Sequence, residues 1–181
     1  MKQMKDLRWR LLLLFVPLAF LVSCDDDDDN SDPNLDRLTA QEFVQRAAVS
    51  DMFEIETGNM ALQKSTMQEV RDFATEIVAD HTASSQELMA LAQQKNLQVP
   101  TALPQEKQAI ITRLNGKTGV DFDKDFSDVQ EEAHEDAVEL FEQAVEDLED
   151  AELRAFAQKI LPTLRMHLEH ARELDDMTDA L

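Results

Sequence analysis

The chain has no tyrosine, one tryptophan, one cysteine and three glycines, and each shortage excludes something. Its tryptophan, Trp9, lies among the first ten residues, so the remainder offers no Trp or Tyr face on which bases or sugars could stack. A formal net charge of −21 repels phosphate backbones and anionic lipid. Nucleic acid is therefore not expected as a partner. A lone cysteine can form neither an internal disulfide nor a thiolate cluster, so the folded part must be held by packing. Scarce glycine and few β-branched runs argue against a sheet, while apolar residues recur at spacings of three and four, the period of helices. No glycine-rich phosphate loop, catalytic triad spacing or nucleophile beside a base is present, which leaves enzymatic activity without support.

What is there begins with an address. Lys2, Lys5, Arg8 and Arg10 precede an apolar stretch, Leu11 to Val22, broken only by Pro17, in the layout of an export signal. That stretch is too short to cross a bilayer comfortably, since a spanning helix needs about 20 apolar residues. Leu21-Val22-Ser23-Cys24 resembles the lipobox of bacterial lipoproteins, which implies removal of residues 1–23 and acylation of Cys24. The alternative, a transmembrane helix with an incidental cysteine, is opposed by length and by the flanking charges. Five aspartates follow Cys24, and residues 24–38 read as a lipidated, solvated tether reaching at most about 50 Å. An acidic run in this place also resembles the surface-export signal of Bacteroidota lipoproteins, whereas in enterobacteria an aspartate there favours inner-membrane retention. The expected location is the bacterial envelope, the outer membrane rather than the inner, with the domain facing periplasm or surface. The expected membrane contact is the lipid alone; protein partner and oligomeric state stay open.

Residues 39–178 read as one all-α domain, a four-helix bundle of ferritin-like type. Thr39-Ala40-Gln41-Glu42 is a capping box opening a first helix that runs to about Lys64, with Val44, Ala48, Ile55 and Leu62 near its apolar face. Ser65-Thr66-Met67-Gln68 reads as a second box, opening a helix that runs to about Lys95 on Val70, Phe73, Ala74, Ile77, Leu88 and Leu91. Pro100 and Pro104 break the chain, and a short helix from Gln105 to Leu114 fills a long crossover. A third long helix is expected from about Val120 to Leu148, and Asp150 caps a fourth on Leu153, Phe156, Ile160, Leu164, Ala171 and Leu174. Pro162 falls inside that fourth helix, either as a plain kink or as a device that aims His167.

"FVQRAAVSDMFEIETGNMALQKS", "VRDFATEIVADHTASSQELMALAQQKNLQVP", "AHEDAVELFEQAVED" and "LRAFAQKILPTLRMHLEHAREL" resemble, in order and spacing, the ferritin-like envelope family catalogued as domain of unknown function 4142. The resemblance implies an exported, helical, often lipid-anchored bacterial protein. It implies no activity.

Stepping each apolar seam by three and four places Glu54 in line with Ala47, Gly58 and Ala61, and His81 in line with Val70, Phe73 and Ile77. His134 lies on the Phe126, Ala137, Phe141 side of the third long helix, and His167 continues Leu153, Ile160 and Leu164. At about 1.5 Å per residue, Glu54 and His167 fall about 16 Å from one end of the bundle and His81 and His134 about 21 Å. Each long helix thus offers one polar side chain at a similar depth. Three imidazoles and a carboxylate suit Zn²⁺, Fe²⁺, Ni²⁺ or Cu²⁺. A metal-free reading stands beside this one, because a histidine on an apolar face is commonly a hydrogen-bonded core residue and Glu54 with His81 can form a buried charge-assisted pair. Asp80, Glu131 and His170 are candidates for supporting roles. A ferritin-type di-iron oxidase is short of carboxylates: Glu131 precedes His134 by three, but Val78 and Leu164 occupy the matching places before His81 and His167. Three readings of function follow: a lipid-anchored interaction module with no certain cofactor, a metal-binding protein, and a redox enzyme on a ferritin-like scaffold.

Overall fold

In the computed structural model, which describes residues 37–181, the first helix begins where the sequence caps it. The Thr39 hydroxyl accepts the Glu42 N–H, and the Glu42 carboxylate accepts the Thr39 N–H at 3.0 Å, so α1 occupies Ala40–Lys64 with two otherwise unpaired donors satisfied. The second box does not form. Ser65 already donates its N–H to Ala61 to close α1 and turns its hydroxyl to the Met67 N–H, so α2, Gln68–Lys95, starts on Met67 without a side-chain cap. Asn96 ends α2 in the left-handed conformation, φ 57°, which a short amide side chain tolerates. The crossover helix α3 spans Gln105–Asn115, α4 spans Val120–Asp147 after Gly119 at φ 59°, and α5 spans Ala151–Asp179. Asp150 caps α5 by accepting the N–H groups of Glu152 and Leu153, both at 3.0 Å.

The crossover fixes the topology. Gln41 exchanges two hydrogen bonds with the Gln98 backbone at one end of the bundle, while Lys64 reaches the carbonyls of Leu114 and Asn115 at the other. The segment from α2 to α4 therefore travels the length of the molecule, and α4 runs parallel to α2 and antiparallel to α1, as the ferritin-like arrangement requires. Lys95 meets Asp150 at 2.8 Å, setting the start of α5 beside the end of α2. Arg37 and Leu38, which the sequence reading assigned to the tether, are docked: the Leu38 N–H is bonded to Asp147, and its side chain joins the core.

The core is two apolar clusters with a polar layer between them. One gathers Phe43, Leu88, Phe141 and Phe156, with Phe43 edge-on to Phe141 at 5.2 Å. The other gathers Phe53, Phe73, Phe126 and Leu174. On each long helix the seam is interrupted between the clusters, at Asp51 and Glu54, His81, His134 and His167, all buried. The expected seam of α1 needs correction: Leu62 is exposed and Ile55 half-buried, whereas Phe43, Ala47, Phe53, Gly58 and Ala61 face inward. Apolar content misled there because α1 meets α2 through small residues. Pro162 and Gln158 both lie on the exposed face of α5, so the carbonyl freed by the proline is available to water.

Gly58 is where α1 and α2 approach. A Cβ built on it would lie 2.7 Å from Val78 Cγ2 and 3.2 Å from Ile77 Cγ1. Val78 is β-branched and cannot swing away cheaply. Gly58→Ala gains about 1 kcal/mol of helix propensity and loses about 1–3 kcal/mol to overpacking, so net destabilisation is expected in urea unfolding. A gain of about 1 kcal/mol would show that the helices do not pack this closely.

Candidate metal centre

The polar layer is built from one turn of each long helix. Asp51 and Glu54 are three apart on α1 and so share a face. Glu54 Oε1 accepts the Ser50 hydroxyl at 2.9 Å, and Glu54 Oε2 lies 3.1 Å from His81 Nε2 and 2.9 Å from His134 Nε2. Although the distances are those of hydrogen bonds, their angles are not, and all three atoms remain without a hydrogen-bond partner among the described residues.

Each imidazole is held by its other nitrogen. His134 Nδ1 lies 2.8 Å from the Gln130 carbonyl, which can only accept, so Nδ1 carries the hydrogen. His81 Nδ1 lies 2.9 Å from Asp51 Oδ1, and His167 Nε2 lies 3.1 Å from Asp80 Oδ2. In the neutral tautomers these bonds favour, the lone pairs sit on His81 Nε2, His134 Nε2 and His167 Nδ1, the buried ring nitrogens that lack partners. The ring centroids are 5.3 to 5.6 Å apart, and one nitrogen of each ring lies within 4.8 Å of those of the other two. Phe73 closes one side, 5.9 Å from the His134 ring and 6.4 Å from that of His167.

Glu54 Oε2 against the lone pairs of His81 and His134, with the His167 ring beside them, asks for a positive charge. A tetrahedral ion with bonds of about 2.0–2.1 Å sets neighbouring ligands about 3.3 Å apart, so the Glu54 contacts to His81 and His134 already have ligand-edge length, while the imidazole nitrogens, within 4.8 Å of one another, would draw together around an ion. Fixing the outer nitrogen of each ring is what metal-ligating histidines require. The chemistry of this donor set suits a borderline divalent ion, which His81, His134 and His167, with Glu54 beside two of them, could hold.

The supporting residues named from sequence separate. Asp80 anchors His167, whereas Glu131 is turned outward to Arg172 at 3.3 Å, so a di-iron carboxylate set is not assembled. His170, half exposed, meets Glu76 at 3.3 Å, and Glu76 and Asp80 form a second donor group with His167. Asp51 and the Gln130 carbonyl escaped the sequence reading. Asp51 was legible as the residue one turn before Glu54; a backbone carbonyl leaves no signature. Cys24 lies outside the described residues.

The family profile described as Domain of unknown function (DUF4142) matches residues 26–174. This chain belongs to the DUF4142 family. No curated protein matches the sequence. Among solved structures, this DUF4142 chain is similar to CopM in its Cu(II)-bound form, with a TM-score of 0.67 at 20% identity over 77% of this chain and 97% of that one. The Ag-bound form of CopM gives a TM-score of 0.62 at 20% identity, covering 76% of this chain and 95% of that one. A DUF305 fragment from Deinococcus radiodurans gives 0.67 at 17% identity, covering 80% of this chain and 99% of that one. At such identities the likeness establishes a shared helical-bundle fold. Among the described residues no helix is long and apolar enough to cross a membrane.

Without an ion, protons must balance the layer. Burial works against charge on His81, but Glu54 and Asp51 overcome it and raise its pKa to about 10. Burial likewise opposes ionisation of Glu54, yet His134 and His81 hold its carboxyl well below the usual range. His167 is lowered to about 4 by burial and by the neighbouring His134 and His81. The raised His81 contributes stability that is complete below about pH 6.5 and lost as pH rises toward 10; the lowered His167 contributes stability present above 6.5 and lost as pH falls toward 4. Unfolding of the chelator-treated protein should thus show greatest stability near pH 6.5 with losses on both sides. A flat profile from pH 6.5 to 10 would contradict the buried His81–Glu54 pairing.

Proposed function

We propose that this domain binds one divalent transition-metal ion at His81 Nε2, His134 Nε2, His167 Nδ1 and Glu54 Oε2. The observation that supports the reading is a cluster of three buried imidazoles, one nitrogen of each within 4.8 Å of the others, with Glu54 Oε2 against two of them and the outer nitrogen of each ring anchored. Charge agrees: with neutral imidazoles, Glu54 and Asp51 leave two buried negative charges, which a divalent ion offsets. Histidine and carboxylate donors without thiolate suit Cu²⁺, Zn²⁺, Ni²⁺ or Fe²⁺, and the usual affinity order puts Cu²⁺ first. The Cu(II)-bound form of the similar CopM bundle supports a divalent transition metal as the ligand. Bound there, the ion would supply a positive charge in a closed, dry site; Asp51, Asp80 and the Gln130 carbonyl would orient the rings that receive it.

A second reading rests on one observation, the His81 pair with Asp51 and Glu54, in which a proton on His81 offsets one of the two negative charges and burial, by raising the Asp51 carboxyl, eases the other. In that case the bundle is a metal-free interaction module. Metal analysis of the purified protein without a His-tag separates the two. One ion per chain is expected, with stoichiometric loading lost in His81→Ala and His167→Ala while helicity is kept, and Asp51→Asn should weaken binding about 10–100-fold. A folded protein that takes up no ion, and whose Tm does not respond to added Cu²⁺ or Zn²⁺, would favour the metal-free module.

We further infer that the domain is exported and held in the bacterial envelope by lipid on Cys24, the outer membrane being the better fit to the acidic run that follows. A multiply acylated cysteine anchors durably where one chain would not. Cys24→Ser should abolish labelling by a clickable fatty acid in cells; labelling that persists would refute the assignment.

A further inference from the structure

A buried centre needs a way in. Two cavities of about 720 and 450 Å³ lie against α1 and the crossover, and neither is lined by Glu54 or by any of the three histidines. A smaller one of about 140 Å³ lies between α2 and α5, and both His81 and His167 line it. Those two residues are at most 2% exposed and carry the unpartnered Nε2 and Nδ1. Other lining residues, Asp80, Glu87 and Lys159, are substantially exposed, so the cavity joins solvent to the polar layer. Lys159, the cation among them, is held to Glu87 at 2.6 Å.

The same side of the molecule carries the second donor group. One donor atom each from Glu76, Asp80 and His167 lies within 4.8 Å of the others, and His170 Nδ1 adds a contact to Glu76 at 3.3 Å. His167 belongs to both groups. Its Nε2 meets the outer carboxylate of Asp80, and its Nδ1 is the buried nitrogen without a partner. One ring thus spans from the solvent side to the centre.

We propose that the α2–α5 cleft is the port through which a hydrated divalent cation reaches and leaves the centre, with Asp80 on its lining and Glu76 and His170, one turn further along the same two helices, adding donors beside it. This rests on the metal-binding reading. Carboxylates at a narrow opening concentrate cations there, and the cavity is roomy enough for an ion to exchange water for imidazole in steps. On the α1–α4 side the cavity of about 450 Å³ reaches Ser50, which donates to Glu54, but none of the four inner residues lines it.

The test is kinetic. Association of Cu²⁺ with the metal-free protein is followed by stopped flow against a chromophoric chelator, and dissociation by excess chelator. Ala83, exposed and lining the cleft, becomes Ala83→Trp to obstruct it; Glu76→Gln with His170→Gln removes the outer donors while leaving the four inner ligands and Asp80. The obstructed variant should slow both association and dissociation on the order of tenfold with Kd unchanged, a signature that mere damage to the site would not give. The outer double variant should slow association by about threefold or more, most strongly at low ionic strength. It also carries the test alone if Ala83→Trp does not fold. Unchanged rates in folded variants, with wild-type protein loading one ion per chain, would overturn the port and leave the metal site standing. Wild-type protein that loads no ion would overturn both.

Discussion

The constraint on which this bundle turns is the cost of burying charge. A carboxylate inside a helical core is tolerated only when paired and hydrogen-bonded, and here two carboxylates and three imidazoles share one layer with apolar clusters above and below. Replacing a buried ionic layer by well-packed apolar side chains is often neutral or stabilising, so stability alone does not account for the layer. It obliges the four long helices to keep their relative depth, because a slip of one turn on any of them would bury a charge against a phenylalanine. The long crossover and the capped starts of α1 and α5 set that depth from outside, and the layer confirms it from within.

Geometry then becomes chemistry through the outer nitrogens. A histidine free to rotate could turn its lone pair to water, but Asp51, the Gln130 carbonyl and Asp80 each hold a ring by the nitrogen that carries the hydrogen. The inner lone pairs of His81 and His134 are left facing Glu54, and only a cation, proton or metal, reconciles them. In the first case His81 is the proton's holder; in the second the proton gives way to an ion of twice the charge. On the metal-binding proposal the same layer thus supplies a protonated metal-free state and a receptive one that differ in what carries the positive charge.

Much of this was legible in the sequence where the cause is local. Thr39 and Asp150 announce their helices because a cap depends on three or four adjacent residues, and the interruption of each seam by Glu54, His81, His134 and His167 follows from the helical period. The DUF4142 resemblance and the ferritin-like crossover were readable for the same reason, from spacing and from two prolines in a long connection. What was not legible depends on neighbours. Ser65 fails as a cap because α1 uses it first. Leu62 and Ile55 turn away because α1 packs on α2 through Gly58, so the more apolar positions lost to the smaller ones. Glu131, well placed on paper for a Glu-x-x-His pair, is claimed by Arg172 of the adjoining helix.

The central claim is that one ion is shared by side chains from all four long helices. X-ray absorption at the metal edge of copper-loaded protein tests it most directly, since imidazole rings bound to a metal scatter from their outer atoms in a recognisable pattern. The account predicts three imidazoles and one oxygen at about 2.0–2.1 Å. A spectrum of oxygen donors alone, or of a single imidazole, would place the ion on the acidic surface and contradict it.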